Sequence, residues 1–245
     1  MVVSAPQLLG PMPNRSGYVL ILKWNETISD YQQLGDPMVG DNYGDAFGYT
    51  LALSGDASKL AVGTPYHDTN GESSGYVKIY LWNEPTLNYT HTGDTFYGTM
   101  AGDLLGYSLQ MSSDGRTLAI GASSSDTNGE DAGEVRVYQW DETDSRFKRN
   151  GNLYGAQDDR FGYSLSISPD GGTIAVGAYG SPSTNNSNGY VNTYVWDAES
   201  LAYNQRGVTL WRQSKRPVWL VMFAIQRWRV YGYWSPRIWG QWRCL

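Results

Sequence analysis

Cysteine occurs once in this sequence, as Cys244, and histidine twice, as His67 and His91. One thiol cannot form an internal disulfide or a thiolate metal cluster, and imidazole acid–base chemistry or zinc binding has little to draw on. No apolar run approaches the roughly 20 residues that a membrane-spanning helix needs. The opening Met-Val-Val-Ser-Ala-Pro has neither the basic start nor the apolar stretch of a secretory signal. Long amphipathic helical patterning is missing too. Acidic side chains are absent from 208–245, which holds seven Lys or Arg, leaving eleven basic against 24 acidic residues elsewhere. That acidic balance argues against nucleic acid as the main partner, because phosphates would be repelled.

What is present is glycine, 29 residues, and as many Tyr and Trp together, a mixture suited to short strands and tight turns. The segment Gly-Tyr-Val-Leu-Ile-Leu-Lys-Trp from Gly17 returns from Gly75, Gly133 and Gly189, at spacings of 58, 58 and 56 residues. A second landmark starts at Phe47-Gly48-Tyr49 and returns at Leu105-Gly106-Tyr107 and Phe161-Gly162-Tyr163, 58 and 56 apart. Two independent landmarks on one period make this an internal repeat. Within a unit, Tyr163, Leu165 and Ile167 alternate with serines, the period of two that puts one face inward. Pro169-Asp170-Gly171-Gly172 then supplies a tight reversal. The expectation is an all-β fold: a partial β-propeller of four-stranded antiparallel blades, about 57 residues per repeat.

Phe-Gly followed by a Gly-Ala-Pro-like strand end resembles the FG-GAP repeat of integrin α-chain propellers. The second half of the motif reads Gly63-Thr64-Pro65, Gly121-Ala122-Ser123 and Gly177-Ala178-Tyr179. One departure concerns the calcium loop that many such repeats carry between their first two strands. Here Ser54-Gly55-Asp56, Ser113-Asp114-Gly115 and Pro169-Asp170-Gly171 are too short and carboxylate-poor to envelop calcium. On this pattern residues 1–38 read as a half blade, 39–96, 97–152 and 153–207 as blades. Residues 208–245 read as an out-of-frame tail replacing a further blade. Six of its residues are Trp, at 211, 219, 228, 234, 239 and 242. Moving the frame by one base turns every Trp codon into Gly, and several then fall where the repeat has glycine.

Candidate sites follow from the loops. Asp68, Asn70 and Glu72, and again Asp126, Asn128 and Glu130, set oxygen groups around an Asn-Gly turn, a weak calcium candidate beside the simpler reading of a solvated hairpin. No other cofactor is expected. Asp45, Asp103 and Asp159 precede each Phe/Leu-Gly pair by two residues, which suits turn-capping carboxylates. Trp24, Trp82, Trp140 and Trp196 recur as packing or strand-end residues rather than a sugar-stacking platform. Sequons at Asn14, Asn25, Asn88 and Asn185 point to an extracellular or cell-surface protein. No acidic pair or Ser/His/Asp set stands apart from the repeat, so a non-enzymatic adhesion or ligand-recognition propeller is expected. A protein or glycan ligand would meet the variable loops 66–74, 124–132 and 180–188, with membrane association only through further segments. An intracellular scaffold similar to WD-repeat propellers, or a propeller enzyme whose active site lies in other blades, is the alternative.

Overall fold

The computed structural model describes residues 1–6, 16–180, 189–207 and 209–211. The first sheet holds β1 (Val2–Ala5), β2 (Tyr18–Asn25) and β3 (Asp30–Val39). The second holds β4 (Thr50–Leu53), β5 (Lys59–Thr64), β6 (Tyr76–Asn83) and β7 (Asn88–Tyr97). The third holds β8 (Leu105–Met111), β9 (Thr117–Ala122), β10 (Glu134–Asp141) and β11 (Arg146–Tyr154). The fourth holds β12 (Phe161–Ile167), β13 (Thr173–Ala178), β14 (Tyr190–Asp197) and β15 (Ala202–Gln205), with the short β16 (Leu210–Trp211) also paired to β14. The strands of each sheet pair antiparallel, and apart from β14–β16 each pairs with its neighbour in chain order. The only helical turn among the described residues is 3₁₀, at Glu84–Thr86. This is the expected all-β architecture of stacked blades. The first sheet starts at the strand equivalent to β5.

β16 continues the fourth-strand position: Leu210 faces Val191 and Trp211 faces Tyr190, as Leu153 faces Val135 and Tyr154 faces Glu134 one blade earlier. The blade pattern therefore holds through residue 211. The remainder of the tail lies outside the described residues.

The blades stack face to face, and each junction has its own apolar core. Val19, Phe47, Leu60, Val62 and Tyr76 fill the first. Val77, Leu105, Leu109, Leu118 and Ile120 fill the second, and Val135, Phe161, Leu165, Ile174 and Val176 the third. The alternation read in β12 is thus the alternation of a strand packed between two sheets. β4, β8 and β12 lie against one another across the junctions, so they form the inner edge of the stack.

The Phe-Gly and Gly-Ala-Pro glycines interlock there. Gly106 has φ +90°, a region disfavoured for side-chain-bearing residues, and its carbonyl passes close over Gly63. A Cβ on Gly63 would fall 2.5 Å from Gly106 O, and one on Gly121 would fall 2.3 Å from Gly162 O. Hydroxyls stitch the same seam: Thr50 Oγ1 donates to Gly106 O at 2.6 Å and Ser108 Oγ to Gly162 O at 2.5 Å. The two glycines of the motif are therefore one contact seen from both sides.

At the outer strands each repeated Trp meets a ring across the ladder: Trp24–Tyr31, Trp82–Tyr89, Trp140–Phe147 and Trp196–Tyr203, with centroids 5.1–5.2 Å apart. These are cross-strand packing pairs. Tyr89 and Tyr203 also donate their hydroxyls to Ala57 O and Gly171 O, pinning the outer strand to the first hairpin of the same blade.

Candidate functional site

The connectors and the loops after β5 and β9 share one end of the stack; the hairpins between β4 and β5 and between β8 and β9 share the other. At the loop end, the residue after each Phe/Leu-Gly pair is tyrosine. The left-handed glycine turns that residue toward the neighbouring blade. Tyr107 consequently lies 5.3 Å from Tyr49 and 5.1 Å from Tyr163, ring centre to ring centre. Tyr66, just past β5, abuts Tyr49 at 5.7 Å, and Tyr179, just past β13, abuts Tyr163 at 5.1 Å. Five phenols from three successive blades thus form one continuous, half-exposed band along the inner edge.

Their electrostatics are set by mutual crowding. Burial, then hydrogen bonds with Tyr163 and Tyr49, holds the Tyr107 phenol far above its usual range. Burial and then Tyr49 push Tyr66 up as well. Both stay protonated at neutral pH, so they can donate a hydrogen bond but cannot serve as bases. Their ring faces offer flat apolar surface and their hydroxyls offer paired donor and acceptor sites.

The three recurrent aspartates shape the connectors that lead into β4, β8 and β12. Asp45 accepts the Asn42 N–H at 2.9 Å, Asp103 the Thr99 and Met100 N–H groups at 2.7 and 2.9 Å, and Asp159 the Ala156 N–H at 2.8 Å. They cap turns, as their spacing suggested. Next to Asp45, the His67 ring packs 4.6 Å from Tyr76 and accepts the Thr69 N–H at Nδ1, 3.1 Å away. Its Nε2 lies 3.7 Å from Asp45 Oδ2. Burial raises Asp45 while His67 pulls it down.

The calcium candidates are engaged in loop structure. Asp68 takes the Ser73 N–H and Asp126 the Asp131 N–H, both at 2.8 Å. Asn70 and Asn128 donate their amides to Gly98 O and Gly155 O, each at 2.7 Å. Glu72 and Glu130 are exposed. No group of three His, Cys, Asp or Glu among the described residues converges as a metal site would require. Of the sequons, Asn25 ends β2, and Asn88 starts β7 with its amide 3.4 Å from Asp36 O. Asn14, Asn185 and most of the 180–188 loop lie outside the described residues.

Residues 155–194 match the FG-GAP repeat. The match is to the repeat and does not single out integrin α-chains. No curated protein matches the chain in sequence. Among solved structures, a proposed 6-phosphogluconolactonase from Bacteroides uniformis is similar over 80% of this chain and 49% of its own, at 11% identity and TM-score 0.53. Another, from Bacteroides fragilis, is similar over 80% of this chain and 52% of its own, at 12% identity and TM-score 0.51. The chain spans about half the length of these structures. Identity this low shows the fold alone.

That is enough to correct one expectation. The non-enzymatic adhesion reading, including the statement that the protein is not an enzyme, rested on the blade repeat and on the lack of a distinct catalytic set. The same stacked-blade arrangement occurs in proposed lactone hydrolases. The reason is physical: the repeat encodes the scaffold, while chemistry sits on loops and strand ends that differ from blade to blade.

Proposed function

We propose that this chain forms about half of a propeller enzyme that hydrolyses a small sugar lactone bound at the tyrosine-lined end. The observation that carries this is the band of five phenols, with Tyr107 held protonated between Tyr49 and Tyr163. In lactone hydrolysis water adds to the ring carbonyl, negative charge grows on its oxygen, and the ring C–O bond then breaks. A fixed phenol O–H aimed at that oxygen stabilises the charge. The flanking rings would hold the sugar face. The base that takes the proton from water is assigned to blades other than these. The likeness to proposed lactonases supports the reaction class. Export is part of the proposal, supported by the sequons at Asn25 and Asn88; peptide mapping that finds both unglycosylated in the secreted product would remove it.

The test is hydrolysis of glucono-δ-lactone, followed by acid release at constant pH, using the full-length gene product. Tyr107→Phe is expected to lower kcat/KM about 10²-fold, the usual effect of losing one oxyanion donor. A folded protein that leaves the lactone at its spontaneous rate, or a Tyr107→Phe variant as active as the parent, refutes the proposal.

A further inference from the structure

Between the third and fourth sheets, at the hairpin end and remote from the tyrosine band, lies a cavity of about 300 Å³. Thr117, Gln139 and Asn150 form one wall; Asp170, Trp196 and Tyr203 form the other. The junction one repeat earlier shows what this space holds when the chain fills it. There Lys59 stands in the place of Thr117, Leu81 in that of Gln139, Thr92 in that of Asn150, and Arg116 in that of Gly172. Lys59 Nζ lies 4.6 Å from the centre of the Trp140 ring, an ammonium seated on an indole face.

The two junctions superpose in their contacts. A Cβ on Gly115 would lie 3.3 Å from Lys59 Nζ, and one on Gly171 would lie 2.3 Å from Thr117 Oγ1, so both residues cross the same hairpin glycine. The later junction keeps the indole, its cross-strand ring and the hairpin carboxylate, and loses the lysine. It also loses bulk at Gly172. Trp140 donates its indole N–H to Glu142 at 3.1 Å, whereas Trp196 is followed two residues on by Ala198, which offers no acceptor side chain. The walls change character as well: apolar Leu81 becomes Gln139, and Thr92, whose hydroxyl bonds Ile79 O, becomes Asn150, whose amide has no hydrogen bond among the described residues.

We propose that this cavity is a binding site for a small amino sugar, whose ammonium sits over Trp196 as Lys59 Nζ sits over Trp140. The π face selects a cation, while Asp170, whose Oδ1 accepts from Ser168 Oγ at 2.6 Å and from the Gly172 N–H at 3.1 Å, shapes the wall beside it. The amides of Gln139 and Asn150 select hydroxyls rather than the methylenes that Lys59 brings with it. The volume is at the small end of ligand sites and suits a monosaccharide. This site does not depend on the lactone reading.

The test is calorimetric titration of the whole chain with glucosamine, glucose and n-butylamine. Glucosamine is expected to bind at one site, and glucose and butylamine each about tenfold or more weaker, for want of the cation and of the hydroxyls respectively. Thr117→Lys supplies the internal ammonium of the sister junction and should abolish glucosamine binding with the far-ultraviolet dichroism unchanged. Trp196→Leu, which keeps the bulk and removes the π face, should weaken it about tenfold. Glucose binding as tightly as glucosamine overturns the cation assignment, and butylamine binding as tightly overturns the sugar class. Undiminished binding in either folded variant, or no glucosamine binding by the parent chain, overturns the site.

Discussion

Glu134 offers the sharpest test of how the blades are held together. It is 2% exposed, and its oxygens receive Arg136 Nε at 3.0 Å and Arg149 Nη2 at 2.9 Å. Arg136, itself 4% exposed, also donates to Tyr97 O at the end of β7 and to Thr99 Oγ1 in the connector that enters the third sheet, both at 2.8 Å. Glu134→Ala strands the Arg136 charge in the junction. Breaking a buried pair this way costs about 3–5 kcal/mol. The Arg149 side chain is 45% exposed and can turn to water, so its share is small and the lower figure applies. With a urea slope of about 2–3 kcal/mol/M, a loss of about 3 kcal/mol moves the unfolding midpoint down by about 1–1.5 M. Glu134→Leu combined with Arg136→Leu removes both charges together and should recover at least half of that loss, because two apolar side chains need no partner. The readout is urea unfolding of the full chain followed by far-ultraviolet dichroism. A Glu134→Ala shift below about 0.3 M, or a double variant as unstable as the single one, would refute the reasoning.

Two further outcomes follow from the same packing. Gly121→Ala should destabilise by about 1–3 kcal/mol, since its Cβ would lie 2.3 Å from Gly162 O and 2.2 Å from Ser108 Oγ; chemical unfolding that shows no loss would mean the inner-edge glycines are not in contact. Stability should fall between about pH 10 and 12: burial pushes Tyr89 up to about 12 and Tyr76, Tyr107 and Tyr190 in the same direction, so the folded state keeps protons that the unfolded state, with tyrosine near 10, has released. The contribution is fully present below about pH 10 and is lost as pH rises through the folded value. Thermal unfolding midpoints that stay level from pH 9 to about 12 would contradict it.

The blades were legible because Phe-Gly-Tyr and Gly-Tyr-Val recur on one period, and a repeat that must stack can hardly hide its period. The turn-capping role of Asp45, Asp103 and Asp159 was legible for the same reason. The tyrosine band was not. Tyr49, Tyr107 and Tyr163 look like ordinary alternating strand residues until the left-handed glycine before each is known to aim it at the next blade. Asn70 and Asn128 offered calcium ligands on paper, yet their amides face Gly98 O and Gly155 O, a direction set by connectors roughly 28 residues away in sequence. The adhesion reading failed because it took function from scaffold. The cavity beside Trp196 carried a signal that could have been read, Lys59 against Thr117 at one repeat position, but only the geometry shows that Lys59 lies over an indole.

The blades stack so that the Tyr107 ring touches a phenol on each side, at 5.3 Å from Tyr49 and 5.1 Å from Tyr163. Ring-to-ring nuclear Overhauser effects in tyrosine-labelled protein, assigned with Tyr49→Phe, Tyr107→Phe and Tyr163→Phe, measure this directly. Cross-peaks from Tyr107 to both neighbours are the predicted result. A folded protein in which Tyr107 shows a cross-peak to neither would contradict it.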